Sequence, residues 1–491
     1  MFEPSIAFLN IDNLCGVYFG CMTKRNPRLI NHYKKLACCN INAMLQSPFY
    51  HEYLMTKQGK FSETTAMAIV IANMIGTGIF TSLGFQLADI RSGFVIMALW
   101  VIGGIMSLCG ALCYAELGSK LPRSGGEYNF LSEIYHPGAG FVSGWISATV
   151  GFAAPTALAA MTFGEYLSSV FPQLNPLWLA TVLIISMTAV HSTSHKNSGG
   201  LQDFFTTGKI LLIIGFSVAA LLSADTLQDV NYAPQTSDLS LFTGGAFAVS
   251  LIYVGYAYTG WNAATYLTSE LEDPKKSLPR VLMVGTAAVM LCYLLLNYVF
   301  LATAPMDAMA GRLEIGYISA THAFGDIGGT VMGISLSLLL ISTVSAMLVA
   351  APRVLQVLGE DYSLFEILGK KNSHGIPSIA IWLQSIMALI FLWSATFESI
   401  LLFSGATMAI NSLFVIVGVF ILRSRDTEGE KEHFKIPFYP IPPIIFIAIT
   451  LVTLIYLTIQ NTEEIAFSIA VIITGAFGYW LTKKLSKKTD K

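Results

Sequence analysis

Ala72-Asn73-Met74-Ile75-Gly76-Thr77-Gly78-Ile79-Phe80 interrupts an apolar stretch of membrane-spanning length with small and polar residues at mid-depth. A second interruption, Gly255-Tyr256-Ala257-Tyr258-Thr259-Gly260-Trp261-Asn262-Ala263-Ala264, lies five apolar stretches further along. Inside hydrocarbon the backbone must satisfy its own N–H and C=O groups. A helix therefore opens there only where it is buried in protein or lines a cavity. Paired interruptions in corresponding halves of a hydrophobic chain point to the midplane binding site of a solute carrier. The sequence thus predicts an all-α membrane protein that carries a small molecule.

Composition agrees. The 491 residues are 54% hydrophobic and 12% charged, and the charged fraction is about half that of a soluble domain. Apolar runs near 64–87, 93–117, 139–162, 176–191, 204–223, 242–268, 281–303, 329–351, 377–394, 398–422, 438–459 and 464–482 each suit a hydrocarbon layer ~30 Å thick. They predict twelve transmembrane helices. A soluble core has no room for so many.

With an even number of spans both termini share one side. Of the 28 Lys and Arg residues, 25 fall on that side, including Lys120, Arg123, Lys196, Lys275, Lys276, Arg280, Arg353, Arg423 and Arg425. Arg91 and Arg312 fall opposite, and Lys209 lies inside the fifth span. The positive-inside rule then makes both termini cytoplasmic. The net charge of −2 does not bear on orientation.

Cys15, Cys21, Cys38 and Cys39 precede the first span, and Cys109, Cys113 and Cys292 lie within spans, so no extracellular disulfide is expected. Residues 1–60 show no signal-peptide pattern and no clear periodicity. They read as a cytoplasmic tail, disordered or upstream of a native start at Met55. The expected organisation is this tail, a transporter domain over 61–482 and a short cytoplasmic tail over 483–491.

The two breaks offer opposite helix ends. At Gly76-Thr77-Gly78 the glycines remove Cβ where the chain must turn. The freed N–H groups and the positive end of the following half-helix favour a carboxylate, although a small-residue packing face is the plainer alternative. At Tyr256–Thr259 the first half-helix ends in unpaired C=O groups suited to an ammonium group. Together they describe an α-amino acid. Tyr256 and Trp261 are wall or lid aromatics on this reading, and Asn262 needs a partner at membrane depth, either substrate or the backbone of span 1. Lys209 either snorkels to the cytoplasmic interface or faces the bundle interior near Ser342, Thr343 and Ser345, as a fixed cation or a titrating group.

Weaker signals surround these. Glu116 and Glu165, near span ends, read as interfacial. Glu270, Glu272, Asp273 and Pro274 read as a loop cap, and Asn297, Ser404 and Asn411 as interhelical hydrogen-bonding residues. No His/Cys/Asp/Glu cluster has metal-ligand spacing and GxxxxGK[ST] is missing. The sequence therefore suggests no metal, no cofactor, no enzyme and no nucleic-acid partner.

Met74–Phe80 (MIGTGIF), Cys113–Tyr128 (CYAELGSKLPRSGGEY), Gly200–Lys209 (GLQDFFTTGK) and Gly260–Arg280 (GWNAATYLTSELEDPKKSLPR) resemble the amino acid–polyamine–organocation superfamily. Within it they look most like the L-type amino acid transporter branch and its bacterial relatives, in order from about residue 60 to 480. The resemblance implies a LeuT-type fold, with spans 1–5 and 6–10 as inverted repeats, broken helices 1 and 6, and two peripheral helices. It implies that Gly76, Thr77 and Gly78 hold the substrate carboxylate, with Ile75 beside them in the substrate-binding segment, and that carbonyls of Tyr256, Ala257 and Thr259 hold the amino group. Tyr256 becomes the aromatic gate, Asn262 a side-chain pocket residue, and Lys209 the lysine that takes the place of a sodium ion.

The resemblance also marks departures. Heterodimeric light chains carry a cysteine between spans 3 and 4, but Ser168–Asn175 has none, so no disulfide-linked heavy chain is expected and the protein is a monomer or homodimer. The expectation is a sodium-independent permease for neutral amino acids in a plasma membrane or bacterial inner membrane. It works by alternating access as an exchanger or proton symporter. The alternative is a cationic amino acid or polyamine carrier, for which Glu165 and Glu398 are the available carboxylates.

Overall fold

The first apolar stretch folds as two half-helices, α1 (Glu63–Met74) and α2 (Gly78–Asp89). A computed structural model describes residues 62–193, 198–223, 227–373, 375–425 and 433–489. The expected N-terminal tail, its four cysteines and Met55 lie outside the described residues. Ser62 starts α1 by accepting the Thr65 N–H on its hydroxyl, and Glu63 sits in the first turn, where the helix dipole favours an acid.

The chain continues through α3 (Gly93–Lys120), α4 (Glu127–Ile134), α5 (Pro137–Ile146) and α6 (Ala153–Val170). Next come α7 (Pro176–Thr193), α8 (Ser198–Ser223), α9 (Gly245–Tyr258) and α10 (Pro274–Thr303). The last are α11 (Ile315–Asp361), α12 (Ser378–Ser394), α13 (Phe397–Ser424), α14 (Ile441–Gln460) and α15 (Thr462–Thr489). No β-strand occurs among the described residues.

Nine helical stretches among the described residues are long and apolar enough to cross a membrane. Thr207–Ser223 and Ser378–Ser394 are apolar but shorter. The remaining expected span, 242–268, is divided: α9 stops at Tyr258 and a 3₁₀ segment runs from Ala263 to Glu270. Two discontinuities were not foreseen. A π-helical turn, Ser147–Gly151, joins α5 to α6, and α11 breaks at Gly325, where φ is +70°. A π turn inside a helix often marks a functional position.

The largest helix contacts are α6 with α11 and α3 with α10, which bring the middle of the chain around α2 and α9. Trp100, Tyr258 and Tyr293 form a buried aromatic cluster, with Trp100 edge-on to Tyr293 at 5.6 Å and Tyr258 5.0 Å from Tyr293.

Some polar residues behave differently from expectation. Glu116 is 2% exposed rather than interfacial. It accepts from Arg423 Nε and Arg423 Nη2, each at 2.6 Å, and from the Ile436 N–H at 2.7 Å. Asn297 and Ser404 donate to Tyr293 and Leu401, carbonyls of their own helices, instead of bridging helices. At the C-terminus α15 continues to Thr489, through most of the segment expected as a tail.

Candidate functional site

The two breaks meet. A Cβ added to Gly78 would lie 2.5 Å from the Ala257 Cα, and one added to Gly260 would lie 2.8 Å from the Asn73 carbonyl carbon. Each break therefore has a glycine where the other's backbone passes. Gly260 also adopts φ +100°, which a side chain would resist, whereas Gly76 and Gly78 have no positive φ. Gly76 lies in the bend between α1 and α2, and Gly78, the first residue of α2, allows the close approach of Ala257.

Between the breaks lies a cavity of about 530 Å³. Gly76, Thr77 and Gly78 line it from the first break, and Tyr256, Ala257, Thr259 and Asn262 from the second. Ile75 instead packs in the core at 1% exposure. The amides of Thr77, Gly78 and Ile79 lead into α2, where the helix itself offers them no acceptor. Across the gap Thr77 Oγ1 and Tyr256 Oη are 3.5 Å apart. The carbonyl of Tyr256 accepts from Thr259 N–H at 2.9 Å and Thr259 Oγ1 at 2.6 Å, using part of its capacity within the break.

A hydroxyl on α10 ties the half-helices together. Tyr293 Oη is 2.5 Å from the Met74 carbonyl oxygen and 2.9 Å from that of Ala257. Lys209 points into the bundle: it is 4% exposed, and its Nζ donates to Thr343 Oγ1 at 2.9 Å, with Thr343 itself on the cavity wall. Ser342 is buried beside it, while Ser345 turns away to His191 Nε2 at 2.8 Å.

Exposed Arg123, Glu270 and Arg353 line the mouth of the cavity. On α6, Tyr166 Oη donates to the Phe80 carbonyl at 3.0 Å and accepts from the Gly316 N–H at 2.9 Å. Phe85 stacks on Phe397 at 5.7 Å, and Tyr253 donates to Glu398 at 2.5 Å. Near the mouth Tyr128 donates to Asp361 at 2.5 Å, and burial together with that bond holds its phenol above the ordinary tyrosine range.

Several wall residues escaped the sequence. Ser147, Gly151 and Phe152 reach the cavity because the π turn shifts the face of α5 and α6, and a hydropathy pattern has no signal for that. Glu127 is fully buried beside the second break and accepts from Asn262 Nδ2, Tyr266 Oη and Tyr114 Oη, the last at 3.1 Å. Its one sequence signal was an acid following Ser124-Gly125-Gly126 in the connection between the second and third spans.

Two discontinuous helices that share a cavity inside an apolar helical bundle define a membrane carrier. The profile of the amino acid permease family matches residues 61–478, and the chain belongs to that family. It is 28% identical to the serine/threonine exchanger SteT of Bacillus subtilis over 427 residues, covering 85% of this chain and 95% of the relative. The large neutral amino acids transporter small subunit 2 of Mus musculus is 28% identical over 439 residues, with 85% and 80% covered. The b(0,+)-type amino acid transporter 1 of Homo sapiens is 26% identical, with 85% and 86% covered. The chain is therefore a multi-pass membrane amino acid permease of the amino acid–polyamine–organocation superfamily, related to the L-type branch. Its relatives are transporters and not enzymes.

Proposed function

We propose a sodium-independent permease for neutral amino acids that works by alternating access. The observation that carries this reading is the facing of an α2 N-terminus and an α9 C-terminus across one cavity, a dipolar cradle for a zwitterion. The carboxylate lies at Gly76–Gly78 and the ammonium group against carbonyls of Tyr256, Ala257 and Thr259, with Ile75 supporting the first break from the core. Tyr256 closes over the substrate. Lys209, held by Thr343 and flanked by Ser342, supplies the fixed cation that makes sodium unnecessary, and Ser345 belongs to the same stretch of α11.

Neutral side chains are favoured because the charged residues lining the cavity, Arg123, Glu270 and Arg353, all sit at its mouth. Glu127, the carboxylate beside the second break, is enclosed by three donors of the protein. In this reading twelve spans over 61–482 form two inverted five-helix repeats and two peripheral helices. Residues 1–60 and 483–491 are cytoplasmic, and the mouth of the cavity faces the cytoplasm. The bacterial relative's name favours exchange, with proton symport as the other mode. The segment Ser168–Asn175 lacks a cysteine, which supports a monomer or homodimer without a disulfide-linked heavy chain.

Counterflow into proteoliposomes, over the twenty amino acids with and without sodium and a pH gradient, tests this. Saturable, sodium-independent uptake of neutral amino acids is expected. Uptake of none, or a sodium requirement, overturns it.

A further inference from the structure

The amide of Asn262 has a fixed polarity. Its Nδ2 donates to Glu127 Oε1, one of three hydrogen bonds that this carboxyl group accepts, so the –NH₂ side of the amide faces Glu127. Tyr114 donates to the same oxygen at 3.1 Å and Tyr266 to Oε2, which holds the carboxylate in place when viewed from either side. The Ser124-Gly125-Gly126 loop pins the same region. Ser269 N–H donates to Ser124 Oγ at 3.0 Å, and Gly126 N–H donates to the Thr265 carbonyl at 3.3 Å. Asn262 lines the cavity while Glu127 is fully buried behind it. The Asn262 Oδ1 accepts no hydrogen bond among the described residues.

We infer that Glu127 is a positioning residue for substrate selection: by claiming the amide hydrogens of Asn262, it presents the Asn262 Oδ1 to the cavity as an acceptor for substrate side chains that donate a hydrogen bond. This rests on the zwitterion site proposed above, since Asn262 lies three residues beyond Thr259 and faces the side chain of an amino acid held there. The permease then distinguishes hydroxyl-bearing from isosteric aliphatic side chains. A hydroxyl gains an acceptor in a partly desolvated wall. An aliphatic side chain leaves that acceptor unpaired.

Threonine and valine have nearly the same shape, so their ratio of apparent affinities in counterflow isolates this hydrogen bond. The wild type should favour threonine by about tenfold. Glu127→Gln offers Asn262 a donor as well as an acceptor, so it lets the amide rotate and should bring the ratio close to unity. Asn262→Leu keeps the volume and leaves Glu127 with both tyrosines, so it provides the same readout if the first variant does not fold. A general loss of packing lowers uptake of both substrates and leaves their ratio unchanged. Equal handling of threonine and valine by a wild type that takes up amino acids, or a full ratio in Asn262→Leu, overturns the inference alone. Failure to take up any amino acid overturns the proposed function with it.

Discussion

Gly78 of α2 rests directly on the backbone of Ala257 in α9, with room for a hydrogen but not for a methyl group. The relationship fixes how closely the two half-helices approach, and so the width of the cavity between them. Without hydrophobic drive in lipid, such close backbone packing is a main source of attraction between membrane helices.

Gly78→Ala should therefore lower thermal stability in detergent, by about 1–3 kcal/mol. Gly255→Ala is its control. A Cβ at 255 meets only Met106 Cε, at 3.6 Å, and Gly255 lines the cavity. That variant should keep its melting temperature and lose uptake of the bulkiest substrates first. Equal melting temperatures for the two variants would contradict the packing argument.

Lys209→Ala should abolish uptake while leaving insertion and the gel-filtration profile intact. Thr343→Val removes the acceptor that Nζ uses at 2.9 Å and should cost about 1–3 kcal/mol of stability, with a smaller loss of uptake. Normal transport by Lys209→Ala would show that the ammonium group has no part in the cycle.

The Tyr293 hydroxyl has one proton and two carbonyl neighbours, on Met74 and Ala257, so it couples the ends of the two half-helices. Tyr293→Phe keeps the ring against Trp100 and Tyr258 and removes only that coupling. Maximal exchange rate should fall by about tenfold, with a smaller change in KM. A change confined to KM would assign the hydroxyl to substrate binding.

Buried Glu116 pairs with half-buried Arg423, whose guanidinium also lies 3.7 Å from the centre of the Tyr439 ring. Arg423→Met leaves the buried Glu116 carboxylate without its partner and should cost about 3–5 kcal/mol, whereas Glu116→Gln leaves a partly exposed guanidinium and should cost less. The double replacement should recover part of that loss in thermal unfolding. Additive losses would mean that the two groups act independently.

The class of fold was legible because hydrocarbon imposes a simple rule on sequence. Long apolar runs such as 93–117 have no other place to go, and α3 covers that run as Gly93–Lys120. Both breaks were legible for a related reason, since Gly76-Thr77-Gly78 and Thr259-Gly260 place adjacent weak helix formers at mid-depth of apolar runs. The second break falls slightly later than expected, because α9 holds its turns through Tyr258.

What the sequence by itself determined is where helix must stop and which backbone groups are thereby released, because those depend on local propensity and on the absence of water. Only the tertiary structure decided which groups meet. Gly78 found Ala257, Lys209 found Thr343 and not Ser345, and Asn262 found Glu127 from more than a hundred residues away. Such partners are chosen by the packing of distant helices, and a residue's own neighbours in the chain contain no record of that choice.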